Sequence, residues 1–512
     1  MSRSTTVLMS GLFIAGLLIG ATITLGIVLY QLGPTLGQNT ETGQTTQTAS
    51  EAGACFGLSG VTTSQVYEVA FGGVTKFQLP SPLRSPNAVT VAPDGSVWFG
   101  EEAIPGLAHL YPSNGTLVEY PFPGNYTPTV ESGHTCTYKT DIWGMAIWNG
   151  TVWAADAAKS RLLGLDPSNG RYTSVSLANG SYPYTLTPEG DALWFTQLYT
   201  GQIGTLYSNG TLVEHTPSPP PPSGGVNLTS TLTASPVQIV FANSTLGYFL
   251  DVSPIIRGTV IYSFNPERFD PKPVPSMDQT LYSPDGLDLG DGGIWVTEHG
   301  ASDVAFLNLT SMQWAIYPTS WVGYVTQTLP YFIDANGTTI WFNEHYHNEM
   351  GSIDVPTGTL TEYSFSSPPV DNFSDIDNTL TLAVQGQLAW FTEYTTNDVG
   401  YVNATYTPGF SLSAPRSTID ARPGTTVSFT VDLKGISPRP LNLSFADTEG
   451  TYSKPQNITM TSTVDAFPAL NGTEALTVTV TVPDGASGDY TLLVTASNGL
   501  TSEGAFVGLH VG

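Results

Sequence analysis

The sequence is poor in charged side chains, and basic ones are the scarcest. Only 11% of the residues are Asp, Glu, Lys or Arg, against roughly 25% in typical soluble domains. Lys and Arg number 15 against 42 acids, which gives a formal net charge of −27. Nucleic-acid binding needs a basic face that neutralises phosphates, so this composition excludes a nucleic-acid partner. A sparse, acidic surface suits an exported protein.

Cysteine is nearly absent, since only Cys55 and Cys136 occur in the chain. The sequence therefore has no cysteine set for zinc or redox chemistry, and it also lacks Gly-X-Ser-X-Gly, His-Glu-X-X-His and phosphate-loop motifs. Outside the cell, where disulfides persist, we expect these two cysteines to form a bridge. Two unpaired thiols are the alternative.

Long apolar runs are absent except at the amino terminus. Residues Val7 to Leu32 contain no charged side chain, and they are numerous enough to cross a hydrocarbon layer of roughly 30 Å as a helix. The run ends without the small-residue cleavage site of a signal peptide. We therefore expect residues 1–32 to form an uncleaved single-pass anchor in the cell membrane, with Arg3 inside and the bulk of the chain extracellular. The polar residues 33–53 should form a flexible stalk.

A strand motif recurs through the middle of the chain: an aromatic residue followed three positions later by an acid or amide. Its aromatic members are Trp98, Trp153, Trp194, Tyr248, Trp295, Trp341 and Trp390. Their spacings of 55, 41, 54, 47, 46 and 49 residues fit four-stranded propeller blades of roughly 40–50 residues. The pattern predicts a seven-bladed β-propeller over residues 54–407.

The last repeat stops after Val399–Val402 and has no outer strand, whereas Val74–Leu79 is an outer-strand sequence that precedes the first repeat. We expect these segments to pair and close the ring, which removes exposed sheet edges. After about Pro408 the texture changes to longer alternating strands, such as Leu476–Val482. These predict an immunoglobulin-like β-sandwich over residues 408–512. The predicted fold class is all-β with one transmembrane helix.

The repeat unit Trp390-Phe-Thr-Glu393, an Ile-Gly strand, and Thr357-Gly-Thr-Leu-Thr-Glu-Tyr363 together resemble the virginiamycin B lyase (streptogramin lyase) family of seven-bladed propellers. The resemblance covers roughly Val74 to Thr405. It implies a magnesium-dependent eliminative opening of a cyclic depsipeptide lactone, with a histidine base beside a metal-organising acid.

The family places its catalytic histidines in Pro-His pairs at the start of inner strands, and this sequence contains no such pair. The corresponding dipeptides are Pro86-Asn87, Pro183-Tyr184, Pro236-Val237, Pro284-Asp285 and Pro330-Tyr331. Tyr184 and Tyr331 match a Pro-Tyr pair that the family also uses. The missing histidines favour binding over lyase activity.

Six of the seven motifs end in a carboxylate, and the third ends in Gln197. The six are Glu101, Asp156, Asp251, Glu298, Glu344 and Glu393. Because they end equivalent strands, we expect them at one face of the disc as an acidic ring, where a divalent cation or a cationic ligand would relieve their repulsion. Alternatively, each acid binds a neighbouring backbone and recurs only because the blade was duplicated.

Histidine is scarce, and its densest cluster is Glu344-His345-Tyr346-His347-Asn348-Glu349. Two histidines two residues apart on an extended segment would point the same way, and imidazole beside carboxylate suits acid–base chemistry or a metal. The candidate catalytic residues are His345, His347 and Glu344. The candidate ligands for magnesium or calcium are Glu298, His299, Glu344 and Glu349. A solvated loop with incidental histidines is the alternative.

Fourteen Asn-X-Ser/Thr sequons follow the anchor, and this density favours glycosylation of some of them. Their asparagines are Asn114, Asn125, Asn149, Asn179, Asn209, Asn227, Asn243, Asn308, Asn336, Asn372, Asn403, Asn442, Asn457 and Asn471. Hairpin-turn chemistry in a Thr-rich chain is the other explanation.

Two functions are consistent with these observations. The first is recognition of a glycan, a peptide or a cell-surface protein by an anchored extracellular propeller. The second is a divalent-metal-dependent lyase or lactone hydrolase. Fold alone does not decide between them.

Overall fold

The computed structural model describes residues 58, 60–80, 83–124, 126, 128–130, 136–138, 140–217, 234–252, 260–274, 281–320, 328–365, 379–448 and 458–512. Secondary structure in this part of the chain is almost wholly β, with one short 3₁₀ helix at Ala157–Lys159. No helix found there is both long enough and apolar enough to cross a bilayer. The predicted anchor at 1–32 and stalk at 33–53 lie outside the described residues.

Seven antiparallel four-stranded sheets form the blades, numbered 1 to 7 along the chain and described here from inner to outer strand. Blades 1 and 2 comprise Pro86–Val91, Val97–Glu101, Gly106–Tyr111 and Thr116–Pro121, then Ile142–Trp148, Thr151–Asp156, Arg161–Asp166 and Arg171–Ser176. Blades 3 and 4 comprise Pro183–Glu189, Ala192–Gln197, Gln202–Tyr207 and Leu212–His215, then Pro236–Asn243, Leu246–Asp251, Val260–Phe264 and Lys272–Pro273. Blades 5 and 6 comprise Pro284–Gly290, Gly293–Glu298, Asp303–Asn308 and Trp314–Pro318, then Pro330–Asn336, Thr339–Glu344, Glu349–Asp354 and Thr359–Ser364. Blade 7 comprises Thr379–Gln385, Leu388–Glu393, Asp398–Asn403 and Val74–Gln78.

The ring closes through the amino-terminal part of the propeller. Val74–Gln78 pairs with Asp398–Asn403, from Val74 opposite Val402 to Gln78 opposite Asp398. The predicted closure is therefore confirmed. Two further strands, Thr62–Gln65 and Tyr67–Phe71, extend blades 1 and 7 at their outer edges.

The motif aromatics hold neighbouring blades together. Trp98 of blade 1, for example, packs in one cluster with Ile142 and Val152 of blade 2, and burying a side chain of this size contributes about 2–3 kcal/mol. Near the axis the inner strands approach so closely that a Cβ at Gly144 would lie 2.3 Å from the carbonyl oxygen of Tyr184. Each blade is narrow near the axis and broad at its outer edge. Large residues therefore fill the space between blades, and glycine occurs where the inner strands approach closely.

The carboxyl-terminal strands form two sheets around one core. The first sheet comprises Phe410–Ser413, Thr426–Ser437, Leu470–Thr481 and Thr459–Ser462. The second comprises Ala466–Phe467, Leu441–Asp447, Gly488–Ser497 and Thr501–Val511, with Ile419–Ala421 parallel to the last of these. Alternation of buried and exposed residues along Thr426–Ser437 places one face of that strand in the shared core.

The second sheet continues directly into the propeller. Thr501–Val511 pairs with the outer strand of blade 6, from Thr359 opposite Ala505 to Tyr363 opposite Thr501. Side chains of blades 5 and 6 and of the carboxyl-terminal unit share one apolar cluster, which includes Phe342 and Leu493. Blade 6 thus forms the joint between the propeller and the carboxyl-terminal unit, through both strand pairing and apolar packing.

A two-stranded hairpin, Pro128–Val130 and Cys136–Tyr138, lies between blades 1 and 2. Cys55 and the side chain of Cys136 fall outside the described part of the structure. Their disulfide stays a prediction.

Candidate functional site

The acids that end the second strands all lie on one side of the disc, which we call the entry face. It is formed by the connections that enter each blade and by the turns between second and third strands. Glu101, Asp156, Asp251, Glu298, Glu344, Glu393 and Gln197 are all buried there. A buried carboxylate is costly unless it is paired, hydrogen-bonded or protonated, so the partners of each acid decide what the entry face can do.

In blades 2 and 7 a basic side chain pairs directly with the acid, and in blade 1 a basic side chain lies close to it. Arg161 Nε donates to Asp156 Oδ2 at 2.8 Å, and Lys76 Nζ lies 2.7 Å from Glu393 Oε2. In blade 1, Arg84 Nε lies 2.9 Å from Glu119 Oε1 on the outer strand and 3.9 Å from Glu101 Oε1. These acids serve the fold, as the duplication alternative expects.

In blades 3 to 5 other groups satisfy the same position. Gln197 Nε2 donates to Glu214 Oε1 at 2.8 Å. Asp251 and Glu298 each accept a hydrogen bond of 2.7 Å from the backbone of the connection that enters their own blade. The acids thus lie at one face of the disc, as the sequence predicted, while those of blades 2, 4, 5 and 7 each have a separate local partner.

Blade 6 differs, because three carboxylates meet there. One carboxylate oxygen each from Glu344, Glu349 and Glu362 lies within 4.8 Å of the others. No lysine or arginine among the described residues forms an ion pair with any of them. Within the described structure this is the group of acids and histidines whose spacing suits a metal ion.

Burial and mutual repulsion perturb this group strongly. Burial, then the neighbouring carboxylates of Glu362 and Glu349, raise the pKa of Glu344 well above its ordinary value. Burial first and Glu349 second raise the pKa of Glu362 to about 7. Perturbed carboxyl groups of this kind are typical of sites that hold a cation or a proton.

The structure brings together only part of the predicted metal set. Glu344 and Glu349 come together, but their third partner is Glu362, while Glu298 and His299 do not belong to the group. Sequence reasoning missed Glu362, although the pattern Gly-Thr-Leu-X-Glu recurs in blades 1, 3 and 6 and ends at Glu119, Glu214 and Glu362. Comparing that position with the acid of the same blade would have found the pair.

The two candidate catalytic histidines separate. Residues 345–348 form a turn, not the extended segment predicted. His345 packs toward the axis against Tyr331, with ring centroids 5.8 Å apart. His347 Nδ1 instead lies 3.5 Å from Glu349 Oε2. A turn rotates successive side chains away from one face, so His345 and His347 belong to different surroundings.

Aromatic, imidazole and carboxyl groups converge where the inner strands begin, and we call this group the axial cluster. Its members are Trp143, Tyr184, Asp285, His299, Tyr331 and His345. The hydroxyls of Tyr184 and Tyr331 are 3.1 Å apart, and the ring centroids of His299 and His345 are 5.7 Å apart. The cluster thus occupies the place on the axis where the family resemblance puts Pro-His histidines.

Burial shifts the pKa values of the titratable groups in the axial cluster. It lowers the pKa of His345 to about 4, and with the nearby His345 ring it lowers the pKa of His299 well below its ordinary value. It raises the pKa of Asp285 well above its ordinary value. Near neutral pH the imidazole of His345 is therefore neutral. The buried atoms His345 Nδ1 and Asp285 Oδ2 have no hydrogen-bond partner in the described structure, which is rare for buried polar groups.

A second polar network borders the axial cluster. Asp141 accepts hydrogen bonds of 2.5 Å from Trp143 Nε1 and from the Tyr182 hydroxyl. Tyr199 packs against Tyr182 with ring centroids 4.4 Å apart and is 53% exposed. An exposed aromatic ring therefore lies over a fixed polar base on the entry face.

The central channel contains a cavity of about 240 Å³ lined by inner strands. Its carboxylates serve the fold, because Asp288 and Asp334 accept hydrogen bonds of 2.7 and 2.8 Å from backbone N–H groups of the next blade. The cavity is smaller than the roughly 300–1,000 Å³ of ordinary ligand pockets. We therefore assign it no binding role.

Seven sequons lie on the opposite side of the disc, the hairpin face, which is formed by turns between first and second and between third and fourth strands. Each blade carries one, at Asn114, Asn149, Asn209, Asn243, Asn308, Asn336 and Asn403. In five of them the Asn side chain accepts a hydrogen bond from the backbone N–H of the residue two positions later. The turn conformation alone therefore also explains why Asn occurs at these positions.

The other sequons lie elsewhere. Asn179 is in the connection between blades 2 and 3, and Asn442 and Asn471 are in the carboxyl-terminal unit. Asn125, Asn227, Asn372 and Asn457 lie outside the described residues. Glycosylation stays a prediction at all fourteen.

Comparisons with known proteins agree with the fold. No family model matches the chain. A stretch of 132 residues, 26% of this chain, is 25% identical to virginiamycin B lyase of Nocardia farcinica and spans only 42% of that relative's length. A catalytically inactive variant of virginiamycin B lyase from Staphylococcus aureus, solved with quinupristin, superposes with a TM-score of 0.50 at 17% identity, over 64% of this chain and 98% of its own. The chain thus has a virginiamycin B lyase-like β-propeller fold.

Proposed function

We propose that this chain is a membrane-anchored extracellular recognition protein whose entry face binds a glycan, a peptide or a cell-surface protein. The axial cluster is the observation that carries the proposal. It combines aromatic surfaces with buried polar atoms, His345 Nδ1 and Asp285 Oδ2, that have no partner in the described structure. Mostly apolar sites with a few convergent polar groups are typical of binding sites.

The exposed ring of Tyr199 extends this surface outward. Aromatic rings with polar tips supply contact area at low entropic cost and dominate the energy of many interfaces. The network of Asp141, Trp143 and Tyr182 fixes the base on which Tyr199 packs. A preorganised aromatic patch of this kind favours recognition.

Binding by the full-length chain in detergent to glycan and peptide arrays tests this function. We expect Tyr199→Ala and His345→Ala to weaken binding of an array hit about tenfold. Tyr67→Ala is the matched control, because Tyr67 is 80% exposed but lies on the outer-edge strand of blade 7. Equal loss in all three variants, or no hit with folded protein, would contradict the proposal.

The anchored, extracellular location rests on the uncharged residues 7–32 and on the sequons. Intact-mass spectrometry of membrane fractions should recover a chain that begins at Met1, with glycan masses at some sequons. Recovery of only a soluble chain starting near Gly33 would contradict the anchor.

We assign residues 54–407 to the propeller and 408–512 to an immunoglobulin-like sandwich that acts as a spacer or contact module. Two sheets of alternating strands around one core support the assignment. Limited proteolysis tests these bounds. The sheet pairing with blade 6 predicts that cleavage near Pro408 leaves the two parts associated, and separation would contradict a fixed spacer.

A metal-dependent lyase or lactone hydrolase is the second candidate, favoured by the neutral imidazole of His345, whose buried Nδ1 has no hydrogen-bond partner in the described structure. In this alternative His345 acts as general base, with magnesium or calcium supplying charge stabilisation. An eliminative ring opening leaves the mass unchanged, so chromatography of quinupristin incubated with the chain and magnesium is the appropriate assay. Conversion that His345→Ala abolishes would establish the lyase, and unchanged quinupristin would exclude this substrate.

A further inference from the structure

Blades 1 and 6 place two carboxylates at equivalent positions. In blade 1 they are Glu101 and Glu119, and in blade 6 they are Glu344 and Glu362. Each pair consists of the last residue of the second strand and the acid of the outer strand. Both pairs are buried.

The entry segments of the two blades also match. The carbonyl of Arg84 accepts from the N–H of the residue two after Glu101, and the carbonyl of Thr328 accepts from the residue two after Glu344. The residues that follow them, Ser85 and Leu329, share positive φ values of 49° and 56°. Thr328 therefore occupies in blade 6 the position that Arg84 occupies in blade 1.

The consequence is a difference in charge. Arg84 supplies a guanidinium to the blade 1 pair, whereas Thr328 supplies only a hydroxyl that faces Glu344. Blade 6 adds a third carboxylate, Glu349. Both oxygens of Glu344 and one oxygen of Glu362 are buried without a hydrogen-bond partner in the described structure, and the hydroxyls of Thr328 and Thr319 only partly offset the raised pKa of Glu344. The buried Oε2 of Glu349 has the Nδ1 of His347 at 3.5 Å.

We propose that Glu344, Glu349 and Glu362 bind one divalent cation of calcium's size, in the place that a guanidinium fills in blade 1. Calcium takes six to eight oxygen ligands at about 2.3–2.6 Å, so opposite ligand oxygens lie roughly 4.6–5.2 Å apart. Three oxygens within 4.8 Å of one another fit that shell. Carboxylate-only donors favour calcium or magnesium over transition metals.

The position of Glu362 gives this cation a structural role. Glu362 belongs to Thr359–Ser364, the strand that also pairs with Thr501–Val511, and it lies opposite Ser502. A cation that links this outer strand to Glu344 on the second strand therefore stabilises the joint between propeller and carboxyl-terminal unit. This inference does not rest on the proposed recognition function.

Thermal unfolding of the full-length chain tests the site. We expect calcium at about one hundred times its Kd to raise the unfolding midpoint by on the order of 5 °C over EDTA, and magnesium to raise it less. Glu362→Gln should abolish the shift. Glu214→Gln, the equivalent outer-strand carboxylate of blade 3, should retain it as the matched control.

Thr328→Arg is a second, independent test of the site, because it introduces in blade 6 the arginine that blade 1 has at this position. We expect this variant to be as stable in EDTA as the wild type is in calcium, with no further response. A calcium shift that survives in both Thr328→Arg and Glu362→Gln overturns the site. No calcium shift in the wild type also overturns it, and a larger shift with magnesium overturns the assignment to calcium.

Discussion

Blades 1 and 6 solve the same electrostatic problem in different ways. Each buries an acid from its second strand beside an acid from its outer strand. Blade 1 carries its own counter-charge, Arg84, which lies 2.9 Å from Glu119. Blade 6 has a threonine in that position and a third carboxylate instead. The two blades therefore share a backbone arrangement, while the identity of one entry residue decides whether a guanidinium lies beside the two acids.

The remaining blades support this interpretation. Blade 3 replaces one acid with Gln197, which donates to Glu214. Blade 7 replaces the outer acid with Lys76, which lies opposite Gly400 just as Glu362 lies opposite Gly351. A cation therefore lies beside the acid in blades 1 and 7, and an amide donates to it in blade 3. Blade 6 is the exception among these four blades.

Removing Arg84 should have the largest effect, because it leaves two buried carboxylates without a counter-charge. We expect Arg84→Met to lower the free energy of unfolding by about 3–5 kcal/mol, measured by denaturant titration in EDTA. Arg84→Thr should lose a similar amount. A loss below about 1 kcal/mol would show that Glu101 and Glu119 do not need the guanidinium.

Lys76→Met breaks the corresponding contact in blade 7. Lys76 Nζ lies 2.7 Å from Glu393 and 3.0 Å from the carbonyl oxygen of Phe365, but it keeps some solvent access. We expect a loss of about 2–3 kcal/mol, less than for a fully buried pair. Lys272→Met is the control, since Lys272 is exposed and should change stability by less than about 0.5 kcal/mol. Equal losses of stability in the two variants would show that the contact between Lys76 and Glu393 does not stabilise blade 7.

The residue after the acid also differs: blade 1 has Glu102 where blade 6 has His345. Burial, followed by the charge of Asp141, raises the pKa of Glu102 to about 8. The folded state therefore holds a proton that the unfolded state has lost between about pH 4.5 and pH 8, so this contribution to stability is lost as pH rises. The expected slope is about 1.4 kcal/mol per pH unit within that window.

Glu102→Gln keeps the Oε1 acceptor for Asn87 and Ile142 but does not titrate. We expect its stability between pH 6 and pH 7 to fall less steeply than that of the wild type. Identical slopes, measured by thermal unfolding at fixed ionic strength, would show that Glu102 does not hold the proton.

The smallest expected effect concerns the turns, where blade 2 has Asp166 and blade 3 has Asn209. Both side chains accept a hydrogen bond of 2.9 Å from the N–H two residues onward. Asn209→Asp should therefore change stability by less than about 0.5 kcal/mol while removing any glycan from that turn. Glycopeptide mass spectrometry checks this, and an unmodified wild-type Asn209 would leave turn chemistry as the explanation.

Sequence periodicity predicted the blade number and the closure because both depend on local strand patterns. The aromatic at Trp98 and the isolated outer strand Val74–Gln78 are local signals that the structure confirms. The partners of the acids could not be predicted, because Arg84 and Thr328 act on residues from separate strands. The union of Thr359–Ser364 with Thr501–Val511 was also missed, because pairing between two edge strands has no signature in either strand alone.

The error over His345 and His347 has a similar cause. Their spacing predicts a common direction only on an extended segment, and the tight turn between the second and third strands rotates them apart. Glu362 shows the opposite case, in which a repeated sequence position contained the information but was interpreted only as a strand.

Equilibrium dialysis of the full-length chain against calcium, with the bound metal counted by mass spectrometry, tests the proposed cation site of blade 6. We expect the wild type to bind one more calcium ion per chain than Thr328→Arg does, because the introduced guanidinium takes the place of the cation. Equal calcium content in the two proteins would contradict it.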